Sequence, residues 1–197
     1  MSPYGYLACT QIETLASRHG RTVQWKPFLL GVTVMQVMGL KPLMQTPLKS
    51  SYIRHDKPRM ARLLGVPFVQ PADMSKVSSV NASRAYLWLA QQDAQLGKAF
   101  AQRIFQRLWT RGEDITAVSD VLQEAAALDI DADALRAALQ SSECKEALRR
   151  AVDDAVAREV FGAPFFIVDG EPIWGVDRLW MLEHWLIHGN WDPAPDR

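Results

Sequence analysis

The stretch "GAPFFIVDGEPIW", residues 162–174, constrains this chain more than any other. Phe165 to Val168 is an apolar run of strand length, Asp169-Gly170 is a two-residue turn pair, and a second run leads to Trp174. That spacing predicts a tight β-hairpin. "VDRLWMLEHWLIH" follows with helical spacing, and Asp177 is placed to cap the helix at its N-terminus.

The front of the chain holds the complementary half. Ser2 and the run Leu7, Ala8, Ile12, Leu15, Ala16 have helical spacing, closed by His19-Gly20. In "RTVQWKPF", Val23 and Trp25 alternate with polar neighbours, which predicts a short strand ending or lying at a sheet edge at Pro27. Residues 40–70 are rich in Pro, Lys and Met, with a helix over Lys57 to Leu64 that stops at Gly65. From Asn81 to Phe161 almost everything reads as helix. Phe100, Ile104, Phe105, Leu108 and Trp109 recur at three-and-four spacing, two short helices flank Asp129 to Asp131, and Ser141 or Ser142 caps a long helix through Val160.

Helix-strand at the front and strand-strand-helix at the back make an α/β, thioredoxin-like fold. Its expected parts are residues 1–39 with 158–197 for the thioredoxin-like domain and 40–157 for an inserted all-helical domain. The strand that normally opens such a fold is missing before Ser2. Either the natural protein starts further upstream or the chain is a real truncation, and a gap or rearrangement of the sheet is expected.

Composition narrows the function. Lys+Arg and Asp+Glu both number 22, so the formal net charge is zero and no nucleic-acid partner is implied. The most apolar run, Phe28 to Leu40, is too short to span a bilayer. The start lacks the basic and apolar regions of a signal peptide, so a cytoplasmic protein is expected. The two cysteines, Cys9 and Cys144, are far apart, which argues against a disulfide framework, a zinc site or dithiol redox chemistry. His184 and His188 lie one helical turn apart, but no catalytic Glu stands between them and no third ligand is near, so no metal is expected.

"SPYGYLA" at the front and "VFGAPFFIVDGEPIWGVDRL" at the back resemble the 2-hydroxychromene-2-carboxylate isomerase family, with "WKPFLLG", "PLKSSYIRHDKPRMARLLGVPF" and "VNASRAYL" resembling it in between. That family is related to the kappa-class glutathione transferases, and both belong to the DsbA-like branch of thioredoxin folds. The resemblance implies that Ser2, at the N-terminus of the first helix, holds the thiolate of glutathione, with Pro3 and Tyr4 in the same turn. A dithiol oxidoreductase has Cys-x-x-Cys there, whereas Ser2 and Gly5 occupy those positions here. The alternative for Ser2 is a plain helix cap.

The resemblance also implies that Ala163-Pro164 is a cis-proline corner offering backbone groups to the cysteinyl part of the peptide. It places Trp174, Gly175, Val176 and Asp177 on the γ-glutamyl end. There a helix N-terminus suits the carboxylate and the Asp177 side chain suits the ammonium. The isomerases use a loop lysine and an Asn-Arg pair for their substrate's carboxylate. This chain reads "GVTVMQVMGLKPLMQTPLK" instead, so Lys41 or Lys49 would substitute, with Tyr4, Asn81 and Arg84 also lining the substrate cleft.

The expected function is a glutathione-dependent isomerase acting on 2-hydroxychromene-2-carboxylate or a similar unsaturated aromatic pyruvate. Glutathione serves as cofactor, and relatives suggest a homodimer. The alternatives are a kappa-like glutathione transferase or peroxidase, and a non-catalytic, truncated paralogue that only binds thiol peptides.

Overall fold

A computed structural model describes residues 1–71 and 73–192. The end of the expected 158–197 segment, residues 193–197, lies outside the described residues. The chain divides into two compact units. A terminal unit joins Ser2–Gln24 to Gly162–Arg197, and a helical unit holds Trp25–Phe161 together with Met1.

In the terminal unit the first helical run is two helices, α1 (Pro3–Cys9) and α2 (Ile12–Arg18). The break has a local cause. Thr10 Oγ1 donates to Leu7 O at 2.8 Å, and Gln11 N bonds Ala8 O in place of a bond one residue further back. The buried residues Leu7, Ala8, Ile12, Leu15 and Ala16 keep the spacing of one apolar face across that break.

The hairpin is β1 (Phe165–Val168) and β2 (Glu171–Trp174), antiparallel, with Phe165 opposite Trp174 and Val168 opposite Glu171. Asp169 and Gly170 have φ of 52° and 90°, the doubly positive pair that a two-residue turn of right-handed twist requires. Pro172 lies opposite Ile167, a position whose amide would face out of the ladder, so its missing N–H removes no bond to β1. A 3-10 turn, Val176–Arg178, leads into α9 (Leu179–His188), and Gly189 ends that helix in the left-handed region. Glu183 of α9 pairs with Arg18 and His19 at 3.0 Å each, and Arg21 pairs with Asp169 of the hairpin turn, so α9 and the turn are tied to the end of α2.

The strand expected at Val23–Trp25 does not form. Residues 21–29 carry no regular structure, and the sheet among the described residues has two strands. Alternating residues become a strand only through ladder bonds. Here the carbonyl of Trp25 accepts instead from the Tyr86 hydroxyl at 2.7 Å.

The first helical element of the helical unit is a π-helical stretch, Gly31–Val37, which precedes the Pro-, Lys- and Met-rich segment 40–70. Next comes α3 (Lys49–Leu63), which starts eight residues before the expected Lys57. Then come α4 (Val80–Gln92), α5 (Ala94–Trp109), α6 (Val118–Ala126), α7 (Ala132–Gln140) and α8 (Ser142–Ala157). Asp93, Asp131 and Ser141 cap three of them through side-chain oxygens that accept backbone N–H groups. Phe100, Ile104 and Leu108, one residue per turn of α5, are almost fully buried, as are Ala85, Leu89, Val121 and Leu135 on neighbouring helices. Gly97 lets α5 close on α4, because a β-carbon there would stand 2.7 Å from the Cβ of Ala90.

Buried charges break the apolar rule, at two sites among others in the described residues. In one, Arg107 and Glu124 anchor an ionic network described in the Discussion. In the other, Lys57 on α3 is 3% exposed and donates to Gln70. Desolvation, with help from the positive charge of Arg54, holds its pKa below the usual lysine value of 10.5.

The unfolded chain therefore binds a proton at Lys57 more readily than the folded one. Stability from this site is reduced below the lowered folded value and recovers as pH rises towards 10.5. In chemical denaturation, wild type is expected to gain on Lys57→Met between pH 7 and pH 10. A constant difference between the two proteins across that range would show that Lys57 keeps its ordinary lysine pKa in the folded protein.

Candidate active site

Ser2 is the N-cap of α1. Its extended backbone precedes a proline at the first helical position, and its hydroxyl oxygen accepts from Gly5 N at 3.3 Å. Pro3 has no N–H to satisfy, which is why it fits there. The Ser2 hydroxyl proton points across the fold to Ala163 O at 2.9 Å, linking residues 161 apart in sequence. Ala163-Pro164 is a cis peptide. The helix start and the proline corner therefore touch through one hydrogen bond, and Ser2 is both a cap and a side chain aimed at the corner.

No thiol of the chain competes for this place. Cys9, at the far end of α1, has its pKa pushed up to about 12 by burial and donates to Tyr6 O at 3.0 Å. Cys144 is buried in α8, where desolvation raises its pKa. A thiolate nucleophile at Ser2 has to come from outside.

The proline corner continues into the hairpin. Gly175 N donates to Pro164 O at 3.1 Å, adding one bond beyond the Phe165–Trp174 pair. Two glycines make the turn geometry work. A β-carbon on Gly162 would lie 2.4 Å from Nε1 of Trp174, so the indole rests directly on that glycine. Gly175 has φ of +114°, and a β-carbon there would lie 2.4 Å from Oδ1 of Asp177.

The structure corrects the expected role of Asp177. Arg178, not Asp177, occupies the N-cap position of α9, and no side chain caps that helix. The 3-10 turn intervenes, and Asp177 sits inside it with its carboxylate folded over Gly175 and 3.5 Å from Arg178. The carboxylate is 62% exposed. Val176 is buried, while Trp174 is half exposed.

Gly175→Ala is expected to destabilise the fold by about 1–3 kcal/mol, because its backbone region is open essentially to glycine alone. It also displaces Asp177. Thermal melting checks the first effect, and an unchanged melting temperature would show that the turn can relax to a normal φ.

Ser2, Pro3, Tyr4, Ala163, Pro164, Trp174, Gly175, Val176 and Asp177 all lie in the terminal unit. Lys41, Lys49, Asn81 and Arg84 lie in the helical unit. Lys41 and Lys49 are exposed on either side of the 3-10 turn Leu43–Gln45. Asn81 Nδ2 donates to Thr116 O at 2.9 Å, and Nε of Arg84 is buried without a hydrogen-bond partner. The rings of His184 and His188 are 4.5 Å apart, and among the described residues no three His, Cys, Asp or Glu side chains gather as a metal site.

One feature escaped sequence reasoning. Gly162 carried a signal, a glycine directly before an Ala-Pro corner. For Arg178 the sequence suggests a structural or salt-bridge role, and its reach to the carbonyl at the end of β2 depends on how the 3-10 turn folds back.

The model of the DSBA-like thioredoxin domain matches residues 1–186. The 2-hydroxychromene-2-carboxylate isomerase of Sphingobium xenophagum is 30% identical, over 95% of this chain and 94% of that protein. Glutathione S-transferase kappa 2 of Caenorhabditis elegans is 29% identical, over 91% of this chain and 84% of its own length. A solved 2-hydroxychromene-2-carboxylate isomerase superposes with a TM-score of 0.81 at 27% identity, covering 93% of this chain and 88% of that one.

Proposed function

We propose that this chain, which belongs to the DSBA-like thioredoxin family, is a glutathione-dependent isomerase of 2-hydroxychromene-2-carboxylate or a related unsaturated aromatic pyruvate. The observation that carries this reading is the 2.9 Å contact between Ser2 Oγ and Ala163 O, which puts the hydroxyl and the proline corner around one point. Relatives of both kinds, isomerases and glutathione transferases, support an enzyme of this class.

The residues fit a γ-glutamyl thiol peptide at each end. Asp177 offers an exposed carboxylate for an ammonium, beside the main chain at the start of the 3-10 turn. The main chain of Ala163 and the hydroxyl of Ser2 flank the place for the cysteinyl part. Glutathione, when bound, supplies the thiolate that adds reversibly to the activated double bond, permits rotation about the resulting single bond, and leaves unchanged.

Ser2 has one proton to donate, and it rests on Ala163 O. Serving a sulfur requires rotation about the Cβ–Oγ bond, which frees the Ala163 carbonyl at the same moment for a peptide N–H. The Gly5 amide, donating to Ser2 Oγ, holds the oxygen while its proton turns. The positive end of α1 adds to the stabilisation of negative charge at that point. In the terminal unit Tyr4, in the first turn of α1, is the residue proposed for the aromatic substrate; in the helical unit the proposed candidates are Lys41 or Lys49, with Asn81 and Arg84.

The test is an isomerisation assay with and without glutathione. Turnover that requires the thiol and leaves its concentration unchanged is the expected result, and thiol-independent turnover or none would overturn the reading. The similarity to kappa-class transferases favours one second reading, a transferase that consumes glutathione. Stoichiometric thiol loss with an electrophile identifies it. Glutathione binding without turnover of either kind identifies a non-catalytic thiol-peptide binder.

A further inference from the structure

We infer that Arg178 is a positioning residue that holds Asp177 ready for the ammonium group of the thiol peptide, an assignment that rests on the function proposed above. Arg178 Nη1 donates to the carbonyl of Trp174, the last residue of β2, at 3.1 Å, and lies 3.5 Å from Asp177 Oδ2. The same nitrogen stands 3.3 Å from where a β-carbon of Gly175 would be, and Asp177 Oδ1 stands 2.4 Å from that point. Both side chains thus fold back over the bare face of one glycine, and the guanidinium bridges the end of the strand and the carboxylate.

The clasp matters because Asp177 has little else to hold it. Its carboxylate is 62% exposed and caps no helix. An exposed aspartate without a fixed partner samples several rotamers, and a ligand has to select one of them. Arg178 removes part of that selection before the ligand arrives. One guanidinium nitrogen, Nη1, makes both contacts, and the planar group fixes the direction of its N–H bonds, which the freely rotating ammonium of a lysine on a flexible stem does not.

The same clasp closes the outer edge of β2. The register places Pro172 and Trp174 with their backbone groups facing out of the hairpin. Pro172 has no N–H to offer, and the Trp174 carbonyl is taken by Arg178. Strand addition along this edge is therefore disfavoured, and the turn that carries Asp177 stays accessible to a small ligand.

The experiment is calorimetric titration of glutathione, and of its analogue lacking the α-amino group, into wild type, Asp177→Asn, Arg178→Ala, Arg178→Lys and the Asp177→Asn/Arg178→Ala double variant. Asp177→Asn is expected to weaken glutathione about 10-fold. Arg178→Ala is expected to weaken it about 3–5-fold, the range of an exposed pair, with Arg178→Lys little better. In the double variant the arginine change adds nothing further, and the desamino analogue binds wild type and Arg178→Ala alike. In the assay Arg178→Ala raises KM for glutathione and retains kcat.

If Asp177→Asn weakens binding while Arg178→Ala does not, or if the two effects simply add, the positioning role is overturned and the function stands. If Arg178→Ala weakens glutathione and the desamino analogue equally, the arginine acts on the fold of the turn and the inference is likewise overturned. If wild type fails to bind glutathione, the proposed function falls and this inference with it.

Discussion

Ser2→Ala is expected to lower glutathione-dependent turnover by about 10²–10³-fold, the usual loss when one preorganised donor to a developing anion is removed. The substitution deletes one oxygen from a place where the chain offers no thiol of its own, since Cys9 is held protonated by burial. It also deletes the cap of α1, which costs about 1 kcal/mol of stability. The two effects separate by measurement. Thermal melting reads the cap, while the pH profile of turnover reads the donor. In wild type the thiolate is expected to be stabilised, with turnover reaching its plateau at lower pH. In Ser2→Ala the rise shifts towards the pH at which free glutathione ionises. A variant with normal turnover and only a lowered melting temperature would leave Ser2 as a cap and nothing more.

Arg107→Ala is expected to produce the largest loss of stability, about 3–5 kcal/mol, because it removes the buried cation beside a buried carboxylate whose other partners, Arg103 and Arg111, are partly exposed. Arg107 on α5 is 7% exposed and Glu124 on α6 is 2% exposed. Their side chains meet at 3.2 Å, and Arg107 also reaches Asp120 at 3.1 Å and Gln123 at 2.9 Å. Arg103 approaches the other oxygen of Glu124 at 3.1 Å, and Arg111 pairs with the first.

Charged side chains thus gather around the buried Arg107–Glu124 pair, with Arg103, Arg111, Glu113 and Asp120 at its partly exposed rim. Removing one charge strands the rest, whereas replacing the central pair together by apolar residues of similar volume does not. Arg107→Met with Glu124→Leu is therefore expected to recover much of what Arg107→Ala loses. For a chain of 197 residues the single variant should melt about 10 °C lower. A drop of only a degree or two would show that water reaches the network and screens it.

The hairpin shows how much of the fold was legible and why. Val168, Asp169, Gly170 and Glu171 are consecutive, and the turn they make is decided by which residues tolerate positive φ. The caps at Asp93, Asp131 and Ser141 are equally local, each a side chain bonding an N–H two or three residues on. Apolar spacing along α5 was legible for the same reason, since Phe100, Ile104 and Leu108 repeat within a single helix.

Failure began where an element depends on a distant partner. Val23 and Trp25 have the alternation of a strand, but the described residues supply no ladder for them, and a strand without a ladder is only an extended loop. Asp177 was misassigned for a subtler reason. A cap is predicted from the residue before a helix, and the inserted 3-10 turn moved that position to Arg178.

Periodicity, turn chemistry and caps act over at most a few residues, so the order and kind of most elements could be read along the chain. The resemblance of its two ends then pointed to residues with a shared chemistry. Whether Ser2 meets Ala163 is a matter of closing a loop of some 160 residues, and no local preference specifies it. That meeting, the seat of Trp174 on Gly162 and the reach of Arg178 back to Trp174 O come from packing, which places atoms to a fraction of an ångström only once the whole unit has formed.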